Sequence, residues 1–219
     1  MPLQQYITTH YQAACENLRN IHRDPPMIQM LTNKDNLNAE IVYDWMLHYR
    51  LFQGIEGKVR DEIAEQFLHF VAAHERYPGG PNNQQIRELF TQLYTLLYRV
   101  EARSWMSATS KLLWCLYPHN VAMYDSFVHT ALTALQCLTG NLQQFERIGV
   151  APTPENEGDV VYATDHYMNY LQMIQTIQAD NQNLLNQLRH QHKETYPYDI
   201  RIVDKLLWMI GNPNHPIQP

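Results

Sequence analysis

One stretch of this chain carries residues that could do chemistry together. It runs Trp105-Met-Ser-Ala-Thr-Ser-Lys-Leu-Leu-Trp-Cys-Leu-Tyr-Pro-His-Asn-Val-Ala-Met-Tyr-Asp-Ser-Phe-Val-His-Thr-Ala-Leu132. The pattern reads as helix, tight loop, helix, with Asp125 at the N-cap of the second helix. A carboxylate so placed receives backbone N–H bonds and feels the positive end of the helix dipole. Both effects favour its ionised form. A fixed anion of this kind suits a reaction that develops positive charge on a sugar. At about 4 Å and an effective dielectric near 20, the attraction is worth roughly 4 kcal/mol, or about a thousandfold in rate. The same carboxylate could orient an attacking water, as in glycoside hydrolysis. Taken alone, Asp125 also reads as an ordinary structural cap, because Asp is among the commonest residues there.

Other constellations carry less. Ser107 and Lys111 are spaced i,i+4 and share a helix face, as a Ser–Lys hydrolase would need. No oxyanion-hole signature accompanies them. Taken alone, Lys111 reads as a solvated or snorkelling lysine, and Trp105, Trp114 and Tyr117 as core. His190 and His192 are two apart and do not share a helix face, so no metal site is expected. There is no phosphate-binding loop of the G-x-x-x-x-G-K type. Three cysteines, Cys15, Cys115 and Cys137, are too few for a four-cysteine iron–sulfur cluster. No cofactor is expected.

Ser107-Ala-Thr-Ser-Lys-Leu-Leu-Trp114, then Pro118, then Met123-Tyr-Asp-Ser-Phe-Val128 resembles the core of the helix-hairpin-helix DNA glycosylase superfamily. It is most similar to the 8-oxoguanine-glycosylase-like branch. In that pattern a hairpin with a lysine in its second helix precedes an aspartate heading the next helix. The resemblance implies that Asp125 is the essential catalytic residue. It implies that Lys111 matches the lysine that forms a Schiff base in members that also cleave the backbone. The partner implied is double-stranded DNA holding a damaged or modified base, flipped out of the duplex. Trp105, Tyr124 and Phe127 would line the base pocket, with Trp114 an equally open candidate. Arg99, Arg103, Ser107 and Ser110 would contact DNA near the hairpin. Some members of the branch act in bacterial defence against phages with modified bases. The resemblance covers Trp105 to Leu132. The family's two hairpin glycines are missing, since Ala102 to Ser110 contains none. The simpler chemistry is expected: Asp125 supports attack by water, and Lys111 contacts DNA or structure.

The elements that must position these residues are helices. Apolar residues recur at three and four throughout, and no stretch alternates as a strand would. The fold class expected is all-α, with a helix-hairpin-helix glycosylase-like core. A first helix spans roughly Leu3 to Ile21, ended by Pro25-Pro26. Asn36 or Asn38 caps a second, carrying Ile41, Trp45 and Leu47. Gly54 and Gly57 interrupt the chain before a third with Val59, Ile63, Phe67 and Phe70. The breaker Tyr77-Pro-Gly-Gly-Pro81 precedes a fourth, with Ile86, Leu89, Phe90, Leu93, Leu96 and Leu97. A fifth runs from about Ser104 to Tyr117, and a sixth from just after Asp125 to a cap at Gly140. After a loop from Gly149 to Gly158, one long helix covers roughly Asp159 to Lys193. A last one runs from about Asp199 to Ile210 and stops at Gly211.

Composition bounds the remaining classes. With 219 residues and 45% hydrophobic side chains, the chain is long enough for a real core. It reads as one helical domain over 1–219, or as two lobes of approximately 1–80 and 81–219. No apolar run approaches the roughly 18 residues needed to span a bilayer. Met1 to Gln5 carries no secretory signal pattern. A monomer in a reducing cytoplasm is expected. The net charge of −6 sits awkwardly with a nucleic-acid partner, although a basic face is compatible with it. It keeps open a second class of function: a non-catalytic helical module that binds DNA or protein.

Overall fold

The sequence's punctuation decides where helices begin. A computed structural model describes residues 2–19, 28–29, 38–52, 54–74 and 76–214. Among these there are nine α-helices and no strand: α1 Leu3–Asn17, α2 Ala39–His48, α3 Gly57–Ala73, α4 Asn83–Val100, α5 Met106–Leu116, α6 Ser126–Leu138, α7 Val160–Asp180, α8 Gln182–His192 and α9 Asp199–Gly211. The all-α expectation is met. Asn38 caps α2, its side chain accepting from the Ile41 N–H at 3.0 Å. Asn82 caps α4 in a reciprocal capping box with Gln85. The Pro25-Pro26 stop and the Asn36 alternative lie outside the described residues. No helix among the described residues is long and apolar enough to cross a membrane.

Four expectations need correction. Gly57 does not interrupt the chain but is the first residue of α3. Gly140 does not cap α6. That helix ends at Leu138 with Thr139 as its cap, and Gly140 opens a short 3-10 turn, Gly140–Leu142. The fifth helix starts at Met106 rather than Ser104. The long helix is two, broken at Asn181. There the backbone leaves helical values (φ −112°, ψ 9°), and the Asn181 amide donates to the Ile177 carbonyl at 2.7 Å. A buried Asn that bonds back onto the preceding turn competes with the helix's own ladder. Beyond it, Gln182 donates to both Asn186 and Asp199, a polar seam between α8 and the start of α9.

The chain divides into two compact units, each assembled from separate segments. The first comprises Met1–Asp24, Ala122–Val150 and Asn169–Pro219, and the second Pro25–Val121 and Ala151–Met168. Residue 80 therefore falls inside the second unit.

In the first unit α9 is the central element, packed against α6 and α1, and α1 also packs on α8. Ile200, Ile202, Val203, Leu206, Leu207 and Met209 of α9 are buried, as are Val128, Ala131 and Leu132 of α6. Gly211 is where the close approach is made. A Cβ there would overlap the carbonyl oxygen of Phe127, so only glycine lets the end of α9 lie on the first turn of α6.

In the second unit α2 packs on α3, α3 on α4, and α4 on α5. The first half of α7 is locked onto α4 by stacked Phe90 and Tyr167, 4.1 Å apart and 8° from parallel. Thr91 and Thr164 add a hydroxyl contact at 3.0 Å. The breaker at Tyr77–Pro81 forms a turn with Gly79 and Gly80 at φ of +82° and +89°, values that L side chains rarely adopt.

Candidate active site

Asp125 stands where its residue type and position require. Its backbone is extended (φ −141°, ψ 140°), and its carboxylate Oδ1 accepts from the Phe127 N–H at 2.8 Å. Its carbonyl accepts from the His129 N–H at 2.9 Å, closing the first turn of α6. Such a cap contributes about 1 kcal/mol. A second anchor comes from α7. The buried Tyr170 hydroxyl donates to the Met123 carbonyl at 2.8 Å and accepts from the Asp125 N–H at 3.4 Å. One hydroxyl thus ties the end of the loop that delivers Asp125. His129, a turn further along α6, pairs its Nε2 with the Gly149 carbonyl at 2.6 Å.

Aromatic residues stand near Asp125 in the chain, Tyr124 just before it and Phe127 two residues after. The half-buried Tyr124 ring lies 4.9 Å from Tyr170. Burial, with a smaller contribution from the Asp125 charge, pushes the Tyr124 hydroxyl up to about 12. Tyr124 is therefore a neutral phenol at any physiological pH. Phe127, also half-buried, meets Trp208 of α9 edge-on at 5.7 Å and 85°.

Behind these rings α9 carries charge inside the unit. Arg201, Asp204 and Lys205 are only 7%, 1% and 6% exposed. Arg201 Nη1 is ion-paired with Asp204 Oδ2. The Lys205 ammonium sits 3.7 Å from the centre of the Trp208 ring, a cation–π contact. Asp204 Oδ1 has no hydrogen-bond partner among the described residues. Burial raises the Asp204 carboxyl to about 6. The Arg201 and Lys205 charges pull it down, and the charge of Asp125 pushes it up.

The remaining expected site residues belong to the second unit. Trp105 and Trp114 are buried there, and the Trp105 indole N–H donates to the Glu101 carbonyl at 2.8 Å. Ser110 is buried, its hydroxyl donating to the Ser107 carbonyl at 3.0 Å. Ser107 and Lys111 are half-buried and share the less buried stripe of α5. Arg103 lies 5.4 Å from the Trp105 ring centre and donates to the Gly54 carbonyl at 3.5 Å. Arg99 forms a two-pronged pair with Glu157, at 2.9 and 2.5 Å. The Arg99 hydrogen bonds hold the Glu157 carboxyl below its usual range. Arg87 is ion-paired with Asp165. Of the expected residues, the structure thus brings Asp125, Tyr124 and Phe127 together.

Tyr170, Arg201, Asp204, Lys205 and Trp208 are not anticipated by the sequence motif. For four of them a signal exists. In the otherwise apolar Ile200–Gly211, the charged residues fall at 201, 204 and 205 with Trp208 following, a spacing that gathers them on one helical stripe. Tyr170 offers no such signal, being one of 14 tyrosines.

Comparison with protein-family models, curated proteins and solved structures finds no match to this chain.

Proposed function

We propose that this chain is a monofunctional DNA glycosylase that excises a damaged or modified base by hydrolysing its N-glycosidic bond and leaves an abasic site. The observation that carries this reading is the fixation of Asp125. Its carboxylate is held by the head of α6 and its backbone by Tyr170, with Tyr124 packed on Tyr170 and Phe127 on Trp208 close by in the chain. Leaving of the base makes the sugar cationic, and a pre-positioned anion lowers that barrier without reorganising. Water completes the reaction: its oxygen bonds the anomeric carbon as the C–N bond breaks, Asp125 orients it and accepts the proton it loses, and the base, leaving with the bonding electron pair, takes up a proton from solvent. Tyr124, Phe127 and Trp208 supply faces and edges on which a flipped base can stack. Lys111 is read as a contact to DNA or to structure.

The test is incubation of the full chain with duplexes bearing oxidised, alkylated, deaminated or hypermodified bases, followed by alkali. Strand breaks at one class of modified base are expected. Their absence across the whole panel would refute the reading.

A second reading, a non-catalytic helical module that binds DNA or protein, is favoured by one observation. Two arginines of α4 are already engaged by acids, Arg87 with Asp165 and Arg99 with Glu157. Binding to unmodified and modified duplexes with equal affinity and no excision would support it.

A further inference from the structure

The site residues named so far leave one buried carboxylate unexplained. Asp204 lies on α9, the helix that packs against α6, and its side chain is almost wholly buried. Only one of its two oxygens is used, by Arg201, while Oδ1 has no partner among the described residues. A buried polar atom without a partner costs about 1–3 kcal/mol, and more when the group is charged. A stabilising role alone would be served better by an apolar residue, since even complete buried ion pairs are often no better than hydrophobic substitutes. The register of α9 on α6 is also set tightly. Gly211 meets the Phe127 carbonyl and Trp208 meets the Phe127 ring, two residues from Asp125. The charged groups acting on Asp204 are Arg201 and Lys205 from its own helix and Asp125 from the head of α6.

We propose that Asp204 is the second carboxylate of the Asp125 site: a positioning residue, clamped by Arg201, whose gain or loss of a proton adjusts the negative charge presented at Asp125. The seating of the helix that carries Asp204 against the head of α6 stands on the structure of the first unit. Its consequence for catalysis rests on the glycosylase reading.

The physical logic is that of interacting acids. Two carboxylates that feel each other titrate as a pair, and the one in the drier setting takes the first proton. Asp204 is buried and has a free oxygen to receive that proton. Asp125 is half-exposed and satisfied by a helix N-terminus. Above the step, Asp204, Asp125, Arg201 and Lys205 sum to no net charge, and the anion at Asp204 reinforces the field at the sugar. Below it, Asp204 is neutral and the site loses one negative charge. The site thereby becomes pH-responsive near pH 6, where the burial of Asp204 places its carboxyl.

The experiment is a carboxyl-carbon NMR titration of the full chain labelled at aspartate, with no DNA present. One aspartate is expected to titrate near pH 6, well apart from the others. That signal should vanish in Asp204→Asn and move to lower pH in Asp125→Asn, which keeps the cap but removes the neighbouring charge. An Asp204 signal titrating with the bulk of the aspartates, or unmoved by Asp125→Asn, would overturn the proposal. Should Asp204→Asn fail to fold, Asp125→Asn alone decides, because it leaves the Arg201–Asp204 pair intact. A second arm follows excision against pH on a DNA that the chain cuts. The wild-type rate should step down on the order of tenfold as the pH falls through 6. Asp204→Asn should stay flat there with unchanged DNA affinity. A wild-type step that persists in Asp204→Asn would also overturn the proposal. If the titration behaves as expected and no DNA is cut, the glycosylase reading fails and the carboxylate pair stands.

Discussion

The head of α6 and the helix α5 hold the two residues that the motif singles out, and they differ in what surrounds them. Around Asp125 the surroundings are polar and specific. A backbone amide holds the carboxylate, a tyrosine hydroxyl takes the residue's own N–H, half-buried Tyr124 and Phe127 stand beside it in the chain, and α9, packed on α6, carries a buried cluster of charge. Around Lys111 they are those of a core. Ala108, Thr109, Ser110, Leu112, Leu113, Trp114, Cys115 and Leu116 are all buried, and two arginines of the stretch before it are committed to acids. Polar groups inside a protein are costly unless paired, so charge concentrated at one place in the interior calls for a reason beyond packing. Asp125 thus stands in a polar, hydrogen-bonded setting, whereas Lys111 stands on a helix whose neighbours are mostly buried packing residues.

The sharpest structural contrast between the two units lies at a glycine in each. Gly211→Ala should destabilise the first unit by about 3 kcal/mol or more, because the new methyl overlaps the Phe127 carbonyl. Gly57→Ala, at the start of α3, meets no atom within 4 Å and should be neutral or stabilising by up to about 1 kcal/mol. Urea unfolding of both variants checks this. A Gly211→Ala protein as stable as the wild type would break the account of how α9 is seated on α6.

Next in size is the hydroxyl anchor. Tyr170→Phe removes a buried bond to Met123 and a weaker one to the Asp125 amide, at a cost of about 1–2 kcal/mol. Excision should fall on the order of tenfold as Asp125 loses its fixed position, with DNA affinity little changed. A loss of stability with no loss of rate would show that Tyr170 holds the loop without serving the carboxylate.

The arginines come third. Replacing Arg99 and Arg103 with Ala should cost little stability, since exposed ion pairs contribute about 0–1 kcal/mol. If these arginines release their partners to grip phosphate, the slope of log affinity against log salt should flatten by about one for each arginine that grips a phosphate. An unchanged slope would place the DNA face elsewhere and weaken the case for this stretch. The smallest effect is expected at Lys111. Borohydride added during turnover should trap no covalent protein–DNA adduct while abasic sites accumulate. An adduct that disappears in Lys111→Ala would show a Schiff-base mechanism and reverse the contrast between the two regions.

What was legible in the sequence was what depends on neighbours in the chain. Helical periodicity, the Asn38 cap and the N-cap position of Asp125 all follow from a few consecutive residues. What was not legible depends on distant partners or on competition within a turn. Nothing in the helix-forming run around Asn181 announces a break. The break comes from an amide that bonds the Ile177 carbonyl once buried. Gly211 reads as a helix stop, but its reason is the Phe127 carbonyl, far earlier in the chain. The charged stripe on α9 is visible in the sequence, and only packing against α6 connects it with Asp125.

The central claim is that the carboxylate of Asp125 does the chemistry and does not merely cap a helix. Asp125→Asn separates these roles, because Asn caps as well as Asp but carries no charge. The measurement is the rate of abasic-site formation by both proteins on the modified duplex that the wild type cuts best, with thermal unfolding in parallel. The account predicts an unchanged melting temperature and a loss of excision of about a thousandfold or more. Near-normal excision by the Asn variant would contradict it and return Asp125 to the role of a structural cap.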